Sequence, residues 1–208
     1  MYLAYNTSLA NETKTKFNKC SNVSVFTINT FILHELKLKE ISIDDITPHD
    51  VMCVLSNVNE YAAKNVLENF KRYCSSDVGN LPTDKDLQQL WNAMFTTKQL
   101  NISHEAYVKY YQLKKNESID YDVIMIDEVQ DCTDCMLNII CNLKNLTRIY
   151  VGDCFQQLYG FNYVNDPFKY ISSHVDDGTL IKKTLSTSFR FSYNLMNICN
   201  IFLRTKFK

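Results

Sequence analysis

The sequence predicts an α/β fold in which a parallel sheet is flanked by helices and interrupted by an all-helical insertion. Three observations carry this expectation. First, Val123-Ile124-Met125-Ile126 is apolar without a break and stops at two adjacent carboxylates, Asp127 and Glu128. Such a run is the pattern of a strand buried on both faces, as parallel strands are. Second, Arg148-Ile149-Tyr150-Val151 ends in another acid turn, Gly152-Asp153. The stretch between repeats at Met136, Ile139, Ile140 and Leu143, so two parallel strands joined by one helix form a βαβ unit. Third, residues 40–116 show helical spacing with no competing strand pattern.

In chain order, Met1 to Tyr5 reads as a short strand. Asn6-Thr7-Ser8 offers caps for a helix through about Phe17. Val23 to Ile28 is a second strand, followed by a helix through roughly Leu38, so the chain opens β-α-β-α. In the insertion, Thr47-Pro48 starts a helix with proline in its first turn, carrying Val51, Leu55, Val58 and Ala62. Gly79 to Pro82 is a break. Thr83 is read as the cap of a helix with Leu87, Leu90, Trp91 and Met94, and Ser103 to Leu113 as a further helix with Tyr107, Tyr110 and Tyr111. After the second acid turn, Leu180 to Ser186 reads as a last strand. Ser192 to Leu203 reads as a last helix with Leu195, Met196, Cys199 and Phe202 on one side. The expected divisions are 1–39, 40–116, 117–178 and 179–208.

The chain has 208 residues with 22 Lys and Arg against 23 Asp and Glu, a net charge of −1. No global basic field exists, so any nucleic-acid surface must be local. Eight cysteines, no signal peptide and no apolar run near the ~20 residues of a membrane span predict reduced thiols, no membrane, and an intracellular protein, nuclear if eukaryotic. Cys132-x-x-Cys135 lacks a second Cys/His pair at zinc spacing, and its place on a helix predicts packing. His104 and Lys109 are read either as a solvated helix start or as a DNA contact.

An Asp-Glu pair at a buried strand end suits nucleotide hydrolysis, one acid for Mg²⁺ and the next for water. A solvated strand terminus would give the same two letters; Gln130 and Asp131 add specificity. Asp127-Glu128-Val129-Gln130-Asp131, then Val151 to Phe161, then Ser188-Phe189-Arg190, resemble in order and spacing the Walker B motif and the next two motifs of superfamily-one DNA helicases of the UvrD/Rep type. Within that group the chain most resembles the F-box DNA helicase branch, through Asp131-Cys132-Thr133, Gln156-Gln157, Ser188-Phe189-Arg190-Phe191 and Ser103 to Lys109. Met1 to Thr30 resembles the segment of the first DNA-contacting motifs.

The resemblance implies an incomplete RecA-like P-loop NTPase domain with its insertion and the start of a second RecA-like domain. It implies ATP and Mg²⁺ as cofactors, with Asp127 holding the metal and Glu128 the general base for water. It implies that Gln156 senses the γ-phosphate and that Arg190 reaches it as an arginine finger. Tyr159 and Phe161, which alone would read as packing aromatics, would stack on bases of single-stranded DNA. Tyr5, Asn6 and Thr27 would line the strand's path.

The pattern also departs from that family. Gly-x-x-x-x-Gly-Lys-Ser/Thr, whose amides and lysine cradle phosphates, does not occur: Gly79, Gly152, Gly160 and Gly178 are the four glycines, and none precedes a lysine. The expectation is a chain beginning after that loop and ending just inside the second RecA-like domain, with sheet edges left unpaired. Thr27-Ile28-Asn29-Thr30 stands where the family has Thr-x-His-Ser. Phe161-Asn162-Tyr163-Val164 replaces Phe-Arg-Gly-Ala, removing an arginine that links the base's region to Gln156. The expected function is therefore a fragment of an ATP-dependent 3′–5′ DNA helicase, inactive without a polypeptide supplying the loop and second domain. The alternatives are a non-catalytic single-stranded nucleic-acid-binding remnant or regulatory fragment, and a fragmentary gene whose product does not fold alone.

Overall fold

Four short parallel strands build the sheet: β1 (Tyr2–Ala4), β2 (Val25–Thr27), β3 (Val123–Ile126) and β4 (Thr147–Tyr150). Their order is β2-β1-β3-β4, and all three pairings are parallel. The computed structural model describes residues 1–37, 42–115, 118–156, 166–175, 179–185, 187, 189 and 192–206, with side chains through 201. It divides into two compact units, Met1–Val175 and Asp176–Lys208.

Register decides which residues face which layer. Tyr2 stands opposite both Val25 and Met125, and Leu3 opposite both Phe26 and Ile126. Helix α1 (Thr7–Lys16) lies on the face of Tyr2, Ala4 and Val25, where Ala10 and Leu9 complete a small apolar cluster. The opposite face holds Leu3, Ile124 and Ile126, all fully buried. Helix α2 (Ile28–Leu36) meets that face through Phe31 against Phe26. Helix α7 (Asp134–Asn142) meets it through Arg148, whose Nε donates to Ile140 O at 2.9 Å. The β1–β2 and β3–β4 crossovers thus cover opposite faces, and the strand order reverses between β1 and β3. In open α/β sheets such a switch point makes a crevice at the carboxyl ends of the strands. The α1 face is covered only in part: Val123 and Ile149 keep 41% and 39% of their surface exposed, although parallel sheets are ordinarily covered on both faces.

The insertion is helical, but among the described residues it has four helices rather than the three expected: α3 (Pro48–Val54), α4 (Glu60–Ser75), α5 (Lys85–Phe95) and α6 (His104–Leu113). The helix expected to run from Pro48 to Ala62 stops at an extended Leu55, and Asn59 caps a new one by accepting from Ala62 N. Thr47 and Asp50 form a reciprocal capping box at the α3 start, satisfying two otherwise orphan donors. The cap of α5 is Asp84 rather than Thr83, because its carboxylate accepts from both Asp86 N and Leu87 N. Trp91, Phe95 and Tyr110 pack ring on ring, with centroids 4.4 and 4.8 Å apart.

Neither reading of Lys109 holds: it is fully buried, neither a solvated side chain nor placed to touch DNA. Its ammonium donates to Ser76 O at 2.9 Å, Val78 O at 2.5 Å and Gln112 Oε1 at 2.8 Å, so the buried cation is hydrogen-bonded on all three protons. Gln112 in turn donates to Asp77 O and to Asn138 on α7. This polar chain locks the loop after α4 to α6 and to the sheet-covering helix.

Helix α8 (Pro167–His174) has no counterpart among the expected elements, yet its start is legible, with Asp166 capping and Pro167 in the first turn. The expected strand from Leu180 does not form among the described residues, since 180–185 and 187 carry no strand pairing. A lone extended segment has no ladder without a neighbouring strand. The last helix is present as α9 (Tyr193–Lys206). All eight cysteines are free, and burial pushes the Cys132 and Cys135 thiols up to about 12, the reverse of what thiolate ligands need. Among the described residues, no helix is long and apolar enough to cross a membrane.

Candidate functional site

The carboxyl ends of β1, β3 and β4 bring the candidate acids together. Asp127 prolongs β3 by one more ladder bond, its N–H donating to Leu3 O at 3.0 Å. Its carboxylate is held from two sides: Oδ2 accepts from the Tyr2 hydroxyl on β1, and Oδ1 accepts from Glu128 N at 3.0 Å. Burial first, and then the bond to Asp127, push the Tyr2 hydroxyl up to about 12. Tyr2 therefore stays a donor to the acid across the physiological range.

Glu128 takes a left-handed conformation, φ 55° and ψ 43°, which costs a non-glycine residue about 1–2 kcal/mol. Such conformations persist where surrounding structure over-determines them, commonly at functional sites. Here the chain must leave the strand and turn at once into a single 3₁₀ turn, Val129–Asp131, while Val129 N donates to Val151 O at 3.0 Å.

Gln130 is the residue that joins the two strand ends. It is 1% exposed; its Nε2 donates to Glu128 Oε2 at 2.5 Å, and its Oε1 accepts from Asp153 N at 3.1 Å. Asp153 then accepts from Gln156 Nε2 at 2.9 Å and caps the short turn Cys154–Gln156 through Phe155 N at 3.0 Å. A continuous path of polar contacts runs Glu128–Gln130–Asp153–Gln156. Gly152 makes it possible, because a Cβ there would collide with Gln130 Oε1 and Val129 Cγ1. Motif reading marks Gln130 and the Gly152-Asp153 turn without assigning them a place in the site. The signal is a glycine whose neighbours need its missing side chain, and that becomes visible only in three dimensions.

Of the residues expected along a strand path, Tyr5 is half-buried and Asn6 exposed at the end of β1. The Asn6 carboxamide caps α1 by accepting from Leu9 N at 2.9 Å. Thr27 is buried, and its hydroxyl accepts from Thr30 N at 3.1 Å in the α2 capping box. Both groups are thus engaged in helix starts. Tyr159, Phe161 and Arg190 lie outside the described residues.

Asp127 supplies hard oxygen donors of the kind Mg²⁺ takes, and two of its roughly four lone-pair sites are used by Tyr2 and Glu128 N. Mg²⁺ is usually held by one or two carboxylates together with phosphate oxygens and waters. The acids here fit that mode; among the described residues, no cluster of three or more His, Cys, Asp or Glu forms a self-sufficient metal cage.

Comparison with known proteins gives the same direction. No family model matches the chain. It is 30% identical to F-box DNA helicase 1 of Gallus gallus over 113 residues, covering 51% of this chain and 10% of that one. It is 30% identical to F-box DNA helicase protein 1 of Schizosaccharomyces pombe over 139 residues, 64% of this chain and 16% of that one. To an ATP-dependent helicase/nuclease subunit of Oenococcus oeni it is 28% identical over 106 residues, 45% and 9% of the two chains. The aligned segment thus amounts to only about a tenth to a sixth of the curated relatives.

Proposed function

From a chain that is related in sequence to UvrD/Rep-type superfamily-one DNA helicases, their F-box branch included, we infer a segment that carries the water-activating half of an ATP-hydrolysing DNA motor. The observation that supports this most strongly is the polar path from Glu128 through Gln130 and Asp153 to Gln156 at the ends of adjacent parallel strands. In this division the segments 1–39 and 117–178 would belong to the first RecA-like domain, 40–116 to the helical insertion, and 179–208 to the beginning of a second RecA-like domain.

In this reading Asp127 would hold Mg²⁺ together with the phosphates of ATP, and the metal would neutralise charge on the transferring group. Glu128 takes the proton of the attacking water. Its carboxylate is oriented by the Gln130 amide, so the base is aimed before substrate arrives. Gln156 reports the phosphate state along the same path, through Asp153 and Gln130, in place of the arginine that the family has after Phe161. By the resemblance, Tyr159 and Phe161 would stack on single-stranded DNA, Tyr5 would line its path, and Arg190 would reach the γ-phosphate as an arginine finger.

The 208 residues contain no phosphate-binding loop. The chain by itself therefore binds single-stranded DNA without turning over ATP, and turnover with 3′–5′ translocation requires a polypeptide that supplies the loop. Phosphate release by the purified chain, with and without single-stranded DNA, tests this. DNA-stimulated release that Glu128→Gln abolishes would overturn the need for a partner. A single-strand affinity indifferent to ATP and weakened by Tyr159→Ala, with no turnover in any assembly, would favour the non-catalytic binding reading instead.

A further inference from the structure

Tyr2 on β1 stands opposite Met125 on β3, and side chains alternate faces along a strand. Asp127, two residues beyond Met125, therefore projects to the same face as Tyr2, and the phenol spans the diagonal to donate to Asp127 Oδ2. The ring is seated against the small cluster of Ala4, Ala10 and Val25, with the Phe17 ring 6.4 Å away, so the hydroxyl is carried on a fixed body. That hydroxyl has a second partner: the side chain of Thr13 on α1, buried at 6% exposure, hydrogen-bonds to it. A phenol has one proton. The proton goes to Asp127, so Thr13 donates and the Tyr2 oxygen accepts. The Thr13 bond thereby fixes the direction in which the Tyr2 proton points. Helix α1 and strands β1 and β3 thus meet in one polar chain, Thr13–Tyr2–Asp127, separate from the path that runs from Glu128 to Gln156.

We propose that Tyr2 is a positioning residue for the divalent cation at Asp127, and that Thr13 acts through it. The proposal rests on the reading of Asp127 as the Mg²⁺ carboxylate and adds what aims that carboxylate. Glu128 N, bonded to Oδ1 at 3.0 Å, leaves the group free to turn about that single contact. With Oδ2 held by Tyr2 the plane of the carboxylate is set, and about one lone pair on each oxygen stays open. Mg²⁺ demands near-ideal octahedral geometry, so a carboxylate already in its final plane serves it better than a loose one. Groups that hydrogen-bond a ligating side chain set metal affinity by about 10–100-fold. Tyr2→Phe keeps the ring packing and removes only the bond.

The test titrates the full chain with Mn²⁺ in place of Mg²⁺ and reads free Mn²⁺ from its electron paramagnetic resonance signal. Asp127→Asn is expected to abolish the tightest site. Tyr2→Phe is expected to weaken that site about ten-fold, and Thr13→Val roughly three-fold. In the Tyr2→Phe background, Thr13→Val is expected to add nothing, because its effect passes through the hydroxyl already lost. Circular dichroism establishes that each variant is folded, and the three-fold loss in Thr13→Val carries the test should Tyr2→Phe not fold. Wild-type affinity in Tyr2→Phe, with the site still lost in Asp127→Asn, overturns the positioning role and leaves the metal reading standing. Additive losses from Tyr2→Phe and Thr13→Val overturn the action of Thr13 through Tyr2. Equal Mn²⁺ binding by the wild type and Asp127→Asn overturns the metal reading and the proposal with it.

Discussion

Gly152 and Gln130 fit together only because position 152 carries no side chain: a Cβ there would occupy the place of the Gln130 amide oxygen. The backbone at Gly152 is not in the left-handed region, so the conformation itself tolerates alanine. Where only conformational freedom matters, Gly→Ala stabilises by about 0.4–1 kcal/mol. Here the clash also involves Val129 N and Cγ1, which cannot swing away. Gly152→Ala is expected to destabilise by roughly 1–3 kcal/mol, or about 3–10 °C in melting temperature for a chain of this size. A melting temperature at or above the wild type's would show that Gln130 is free to move.

Gln130→Glu keeps the acceptor for Asp153 N but sets a carboxylate against Glu128 in place of a donor. Two facing carboxylates raise each other's pKa in the folded state. The variant's stability is then intact below the unfolded carboxyl pKa, about 4.3, and falls as pH rises through the higher folded value. Denaturant titrations at pH 4 and pH 7 should show a deficit of roughly 1–3 kcal/mol at pH 7 only. The same deficit at both values would mean that the Glu128 contact is not electrostatic.

Tyr2 titrates near 12 in the folded protein, because it is partly buried and donates to Asp127. The unfolded residue titrates near 10. Its contribution is therefore fully present below pH 10 and is lost as pH climbs from 10 to 12. Other tyrosines are shifted the same way, so the informative quantity is a difference. Tyr2→Phe should lose stability less steeply than the wild type over that window. Parallel curves would show that the Tyr2 hydroxyl does not hold Asp127.

Lys109→Met keeps the buried stem but leaves Ser76 O and Val78 O without the ammonium. Hydrogen bonds to charged groups contribute about 1.5–3 kcal/mol, and a loss of that size in urea unfolding is expected. Burial lowers the Lys109 pKa, so the wild-type residue binds its proton less tightly when folded. Its effect is to raise stability as pH approaches 10.5, opposite in sign to Tyr2. A variant as stable as the wild type would mean that water replaces the ammonium in the loop.

Elements whose signals are local were legible in the letters alone. The apolar run ending at Asp127 became β3, the Thr47-Pro48 pair started α3, and Ser103 capped α6; each depends only on periodicity or on capping atoms within one helical turn. The acids were legible for the same reason, since an apolar strand must end where carboxylates begin. The rest was settled by packing between distant segments. Lys109 reads as a surface cation until carbonyls from a loop more than thirty positions away surround it. The segment from Leu180 has strand-like letters, but pairing needs a neighbour, and the described residues provide none. Gln130, Gly152 and Asp153 are adjacent only after β3 and β4 align in parallel, because a contact between strand ends depends on register, and register is a property of the sheet as a whole.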